Sequence, residues 1–532
     1  MRAQKSENHN SSIARNLEIF NEIYRVLDTY YVDSLNADTV MEWGIHAMLN
    51  NVDPYTTYYP QEDDDELVEM AQGKYAGIGA VIRYNKKLKR TIISEPYENT
   101  PSMKAGLLPG DIILSIGDKD VEGMPTDKVS NLLRGEAGTT FRLKVQRPGE
   151  KKPRIFTITR ETIAIPHLPY YGIVSQGVGY IMLTGFSEGD ALQVRSALID
   201  MKQQGAEKLI VDLRENPGGS LEESVDIANL FLPKGKKIVY TKGKTGSMNR
   251  EYYTRTEPVD TLMPLAVLVD GNSASAAEIL SGSLQDLDRA VIIGSRTYGK
   301  GLVQNIRELP YGGNMKITTG RYYIPSGRCV QARDYRNLNE DGSARTLPDS
   351  LTNLFHTQNG REVRDGGGIK PDILVKPDTL PTMVYDLAPS DALFDFCTKY
   401  VSEHPTFGQP GEASITDEDY EAFVNFVKEQ DFTYNRRSDD VMKLLKEVAE
   451  REGYMEVIQK EYDALKAGLK SDLTADMHRL RKHIEPYLLD ELVTRYYHRK
   501  GACRQQLVGD KCMEKALEIL GDEKAYQKIL RP

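Results

Sequence analysis

Three runs in the chain, KLIVDLR, PLAVLVD and AVIIG, are apolar along almost their whole length, and helical stretches separate them. A strand with one wet face alternates in polarity, whereas a strand that is apolar throughout is buried on both faces. Residues 176–335 therefore predict a sheet with helices packed against it, an α/β arrangement. In such a sheet, sites form beyond the carboxyl ends of the strands. Three segments occupy those ends: DLRENPGGS at 212–220, DGNSASAAEILSG at 270–282 and TYGKGLVQ at 297–304.

Each segment has a chemical reading. Two glycines after a proline let backbone amides approach a ligand closely. The small residues of 270–282 leave room for a substrate backbone where a strand hands over to a helix. Ser275 falls at the first turn of that helix, where free amides and the helix dipole favour a developing anion. Lys300, between Gly299 and Gly301, becomes a usable base when burial lowers its pKa from about 10.4. Serine nucleophile and lysine base are thus the most economical chemistry. Taken singly, Ser273 and Ser275 also read as helix caps, Lys300 as a solvated turn residue and the glycine pair as a turn.

The flanking regions are different in kind. Residues 13–50 carry a helical repeat (Leu17, Phe20, Ile23, Tyr24, Leu27), and NVDPYTTYYP breaks it with an extended aromatic loop. Residues 73–162 read as a small β-rich domain, with a glycine-rich turn at GKYAGIGAVI. Residues 335–365 are polar and irregular, predicting a surface insertion. Beyond about 380 the pattern is helical to the end, with charged faces that predict a solvated appendage. The expected domains are 1–72 helical, 73–162 β-rich, 163–378 the α/β core with its insertion, and 379–532 helical.

Composition narrows the class. The 532 residues carry a net charge of −10, which argues against bulk nucleic-acid binding. No apolar run approaches the ~18 residues of a membrane span. The polar start MRAQKSENHNSS has no signal-peptide core, so the chain reads as cytosolic or as one whose export segment was removed. Cys329, Cys397, Cys503 and Cys512 form no CxxC pair, and the eight histidines are scattered. Neither metal nor cofactor is expected. Free thiols are the simpler reading of Cys503 and Cys512, although their spacing allows a bridge.

The three strand-end segments resemble those of the C-terminal processing, or tail-specific, proteases. DLRENPGGSLEESVDIANLFL is similar to that family's DLR-N-GG segment. VLVDGNSASAAEILSGSLQDLDRAVIIGSRTYGKGLVQ resembles its catalytic block, and GRYYIPSGRCVQ the strand pair that follows. The resemblance implies Ser275 as nucleophile, Lys300 as base and Gln304 as the residue orienting the lysine. It implies oxyanion amides at Ala276 and at Gly219 or Gly218, and a supporting structural role for Glu278. It implies a ClpP/crotonase-like α/β protease core with an inserted PDZ-like domain and helical N- and C-terminal regions. In the PDZ-like domain, Gly77, Ile78, Gly79 and Ala80 would hold a peptide C-terminus, beside a helix carrying Val129, Leu132 and Leu133.

The implied function is a serine endopeptidase acting on exported proteins with apolar C-termini, in the periplasm or cell envelope. The C-terminal helices would serve a homo-oligomer or an adaptor. DPYTTYY is close to a DPH-S-Y segment of the family, with tyrosine in place of histidine, at a position that is not catalytic there. The competing reading is a non-catalytic peptide-binding scaffold. A serine hydrolase using histidine fits poorly, because His167 and His356 fall outside the three segments.

Overall fold

The structure, a computed structural model, describes residues 2–61, 73–469 and 472–531. The last part of the expected N-terminal region, 62–72, lies outside the described residues. Its helical part divides into Arg2–Tyr30 and Ala37–Asn50. Asn36 separates the two by accepting the amide of Thr39 and so capping the second helix.

The α/β reading holds, and the three apolar runs are neighbours. One six-stranded sheet runs Tyr170–Ser175, Val178–Met182, Lys208–Asp212, Leu265–Val269, Val291–Gly294, Ile373–Leu374. The first pair is antiparallel, and every later pairing is parallel. Parallel register puts the ends at Asp212, Val269 and Gly294 on one edge. The loops carrying the three candidate segments therefore leave from the same side.

Period two divides the side chains between two cores. Leu209, Val211, Leu265, Val267 and Ile292 face the helices Asp190–Gln203, Leu221–Asn229 and Ala276–Asp286. Tyr180, Ile210, Ala266, Leu268, Val291 and Ile293 face the opposite way. They meet Met513, Ala516, Ile519, Leu520, Tyr526 and Leu530. Those residues come from the last two helices, Lys511–Gly521 and Glu523–Leu530. The end of the chain is thus a layer of the core, not a solvated appendage. Its charged faces point outward, and its apolar stripe finishes the sheet. Tyr526 reaches through this layer, accepting the Leu265 amide at 2.9 Å and donating to the Leu265 carbonyl at 3.2 Å.

The β-rich insertion packs six strands, from Ala80–Asn85 to Arg154–Thr159, around Ile93, Ile113, Val129 and Leu143. Its ends are joined where Lys74–Gly77 pairs antiparallel with Glu161–Ala164. Helices between 382 and 506 form a further core around Phe396, Tyr420, Phe423 and Leu488. This helical unit touches both neighbours. Asp391 pairs with Arg83 of the β-domain at 2.8 Å, and Cys503 packs into the sheet core with Tyr180. Just beyond the unit, Asp510 pairs with Arg214 of the protease core at 2.6 Å. The polar stretch after 332 is more ordered than its composition suggests. It forms the hairpins Arg333–Leu338/Ala344–Thr346 and Leu354–His356/Glu362–Arg364. Turns supply that order, as at Ser343, whose amide donates to Asp341. All four cysteines are free thiols.

The Tyr526 contact gives a stability prediction. Tyr526→Phe leaves the buried Leu265 amide without its acceptor and should cost about 1–3 kcal/mol. In urea melts the midpoint should fall with an unchanged slope. An unchanged midpoint would mean the terminal helices contribute no such anchor.

Candidate active site

The helix Ala276–Asp286 follows the strand Leu265–Val269 and is buried along its entire length. Its small residues are explained partly by that burial. A Cβ at Gly282 would stand 2.7 Å from Ile369 and 2.8 Å from Ile324. Close approach of another backbone explains the rest. A Cβ on Gly218 would lie 2.8 Å from the Ser275 Cβ and 2.9 Å from the Ala276 amide nitrogen. The glycine loop and the start of the helix are in contact, and only glycine fits there.

Asn216 shapes that contact. Its side-chain nitrogen donates to the Leu183 carbonyl, its side-chain oxygen accepts the Gly218 amide, and its own carbonyl accepts the Ala274 amide. The Phe186 carbonyl then takes the Ser220 amide, and a Cβ at Gly219 would fall 2.1 Å from that oxygen. Gly218 and Gly219 hold φ of 102° and 142°, in the region that favours glycine. Among the described residues, neither the Gly219 nor the Ala276 amide meets an acceptor. Both glycines and both amides border one cleft with Ser275.

The two serines have separate jobs. Ser273 is fully buried; its hydroxyl donates to the Leu213 carbonyl at 2.7 Å and accepts the Asp270 amide. It ties one strand end to the next. Ser275 sits at the helix start with φ 55° and ψ −113°, a conformation unusual for a residue with a Cβ. Such backbone strain persists where surrounding contacts over-determine it.

Glu278 supplies those contacts. It is fully buried, and four donors converge on its carboxylate. Oε1 accepts Thr297 Oγ1 at 2.6 Å and the Gly299 amide at 2.8 Å. Oε2 accepts the Ser275 amide at 3.0 Å and the Lys300 amide at 2.8 Å. One side chain thereby fastens the backbone of Ser275 to the backbone of Lys300. Burial pushes the Glu278 carboxyl up from its ordinary value, while the four donors pull it back toward the ionised form.

Lys300 lines the same cleft as Ser275. Burial lowers the pKa of its amine, and nearby Lys316 pushes the same way against Glu278 and Asp53. Its Nζ lies 4.3 Å from the centroid of the Tyr55 ring, a contact the sequence did not announce. Among the described residues, no hydrogen bond joins Nζ to Ser275. Gln304 also faces the cleft, but its amide donates to Thr318 Oγ1 at 3.2 Å and makes no bond to Lys300. His167 lines the cleft too, with Nδ1 2.8 Å from Asp190 Oδ2 and no hydrogen bond to Ser275. His356 lies on the second insertion hairpin.

The cleft, about 1490 Å³, is larger than a typical small-molecule pocket and suits a polypeptide. Ser130 and Arg134, from the β-domain helix Thr126–Leu133 and its end, border it. The same two residues border a groove lined by Gly77, Ile78, Ala80 and Leu133. Gly79, between the lining residues Ile78 and Ala80, has φ 73°, and its carbonyl is held by Thr100 and Ser102. Val129 and Leu132, expected on the groove, pack instead with the β-domain core; Leu133 belongs to that core and also borders the groove, beside Ser130 and Arg134. No cluster of metal-ligating side chains occurs among the described residues.

Comparison with known proteins agrees with this arrangement. Residues 177–342 match "Peptidase family S41", residues 92–147 match "PDZ domain", and residues 383–520 match "Probable PDZ-protease, C-terminal helical domain". A "Carboxy-terminal-processing protease" of Bartonella bacilliformis is 33% identical over 328 residues, covering 61% of this chain and 74% of that protein. A "Probable CtpA-like serine protease" of Staphylococcus epidermidis is 31% identical over 345 residues, covering 63% and 69%. The chain belongs to the carboxy-terminal-processing proteases of peptidase family S41, and it is a serine-type peptidase with a PDZ domain.

Proposed function

We propose that Ser275 is the nucleophile and Lys300 the general base of a carboxy-terminal-processing endopeptidase. The observation that carries this reading is the Glu278 carboxylate, which holds the Ser275 and Lys300 amides on one oxygen at 3.0 and 2.8 Å. Both backbones are fixed to one atom, and both side chains line one cleft. Neutral Lys300 takes the hydroxyl proton as Ser275 attacks a peptide carbonyl. The resulting oxyanion is received by the unengaged amides of Gly219 and Ala276, each donor being worth roughly 3 kcal/mol. The resulting Lys300 ammonium then protonates the leaving nitrogen, and water activated by the regenerated amine hydrolyses the acyl-enzyme. Gln304 is proposed to meet the lysine once its bond to Thr318 is exchanged.

Substrate selection is assigned to the PDZ domain. Ile78, Gly79 and Ala80, following Gly77, offer amides to a peptide carboxylate, and the strand Ala80–Asn85 offers an edge for pairing. The groove and the cleft share Ser130 and Arg134, which supports passage of a gripped tail toward Ser275. The substrates are proposed to be exported proteins with apolar C-termini, met in the periplasm or cell envelope. Among the described residues, no helix is long and apolar enough to cross a membrane. The helical unit between 382 and 506 is proposed to offer the surface for a second copy or an adaptor.

The test is cleavage of a peptide with an apolar C-terminus. Ser275→Ala and Lys300→Ala should each lower kcat/KM at least about 10³-fold with folding retained. Cleavage left intact by either variant would overturn the assignment. Because burial lowers the Lys300 pKa, kcat/KM should rise with pH along a limb below the ordinary lysine value of about 10.4. A limb centred near ~6.5 would instead point to histidine, His167 being the one in the cleft.

Glu278→Gln probes the carboxylate. An amide there offers one acceptor oxygen to four donors, so stability should fall by about 1–3 kcal/mol. Loss of alignment should lower kcat about 10²-fold. Wild-type kcat in a folded variant would show that the shared oxygen is not what aligns the pair.

A further inference from the structure

The Lys300 amine has an unusual partner. It carries three N–H donors, yet among the described residues no oxygen accepts from it; it lies instead over the Tyr55 ring at 4.3 Å. That ring belongs to the DPYTTYY segment, more than two hundred residues upstream. A cation over an aromatic face is stabilised by the ring quadrupole, and more so when water is excluded.

Tyr55 is held firmly. Asp53 Oδ1 accepts the amides of Tyr55 and Thr56, both at 2.8 Å. Thr56 Oγ1 donates to Asp53 Oδ2 and accepts the Thr318 amide. The next residues, Thr57–Tyr59, pair with Asn314–Lys316 and fix the segment to the sheet beside the cleft. The Tyr55 hydroxyl meets Tyr335 at 3.0 Å and Tyr298 at 3.4 Å. The rings of Tyr55 and Tyr335 pack edge to face, centroids 5.8 Å apart. Tyr298 is covered in turn by the Arg333 guanidinium at 4.2 Å. Three distant segments therefore converge: the N-terminal loop, the lysine loop and the first insertion hairpin.

We propose that Tyr55 is a positioning residue that seats the Lys300 amine and, through its ring face, sets the proton affinity of the base. The proposal rests on Lys300 being the base only for its consequence in catalysis; the seat itself does not depend on that. The other charges acting on the amine are Glu278 and Asp53, which favour the cation, and Lys316, which opposes it. Arg333 reaches the cluster only through Tyr298. Tyr55 adds to the cation-favouring side without introducing a charge. It holds the amine by a contact the lysine can leave when a substrate closes the gap to Ser275.

The experiment is a titration of the Lys300 side chain by ¹³Cε NMR in the full chain. Ser275→Ala background prevents self-cleavage, and Lys300→Arg identifies the signal. Tyr55→Leu keeps apolar volume but removes the ring face; the midpoint should fall by about 0.5–1.5 pH units. Tyr55→Phe keeps the face and loses only the hydroxyl contacts, so its midpoint should stay near wild type. Should Tyr55→Leu not fold, Tyr55→Met gives the same reading. An unchanged midpoint in a folded Leu or Met variant, or an equal fall in Tyr55→Phe, overturns the proposal. With Ser275 restored, the basic limb of kcat/KM should move with the NMR midpoint. A midpoint that moves while the limb stays keeps the Tyr55 seat and removes Lys300 as base.

Discussion

One buried carboxylate holds the candidate site together. Glu278 takes a hydroxyl and three amides from four residues of two loops, and those loops leave one edge of the sheet. Desolvating a carboxylate is costly, and each of its four hydrogen bonds offsets part of that cost. The outcome is geometric: Ser275 keeps a strained backbone, and Lys300 begins its strand from a fixed point. The sheet contributes by parallel register, which brings three strand ends to one edge. Asn216 and the glycine pair then bring the Gly219 and Ala276 amides to the cleft beside the serine.

Around this centre the chain is joined over long distances. The face of the sheet away from the cleft is covered by the final two helices, so the end of the sequence completes the core of its middle. Asp510, which caps one of those helices, also pairs with Arg214 beside the glycine loop. Arg214 in turn grips Asp212 at the strand end. The final helices are thus tied directly to the strand end that leads into the glycine loop.

Much of this was legible in the sequence, for identifiable reasons. Strands apolar throughout announced a sheet buried on both faces, and the spacing from Ser275 to Lys300 and Gln304 carried the family resemblance. The layer that buries the second face was not legible. An amphipathic helix shows that it packs, not against what, and Met513, Ala516 and Ile519 look the same on a free bundle as on a sheet. The insertion hairpins were hidden because their strands are short and polar. Tyr55 was hidden for another reason: its significance is a contact with Lys300, and no local pattern encodes a ring placed under an amine from 245 positions away. Gln304 is a reminder that a shared cleft and strand parity do not fix a hydrogen bond; in this structure its partner is Thr318.

The account stands on a neutral Lys300 amine drawing the proton from Ser275. The most direct measurement is the rate at which a fluorophosphonate labels Ser275 as a function of pH, with the modified residue identified by mass spectrometry. The rate should climb with the deprotonation of Lys300 and collapse in Lys300→Met. Labelling of Ser275 that proceeds equally fast in that variant, or that ignores pH through the lysine range, would contradict the account.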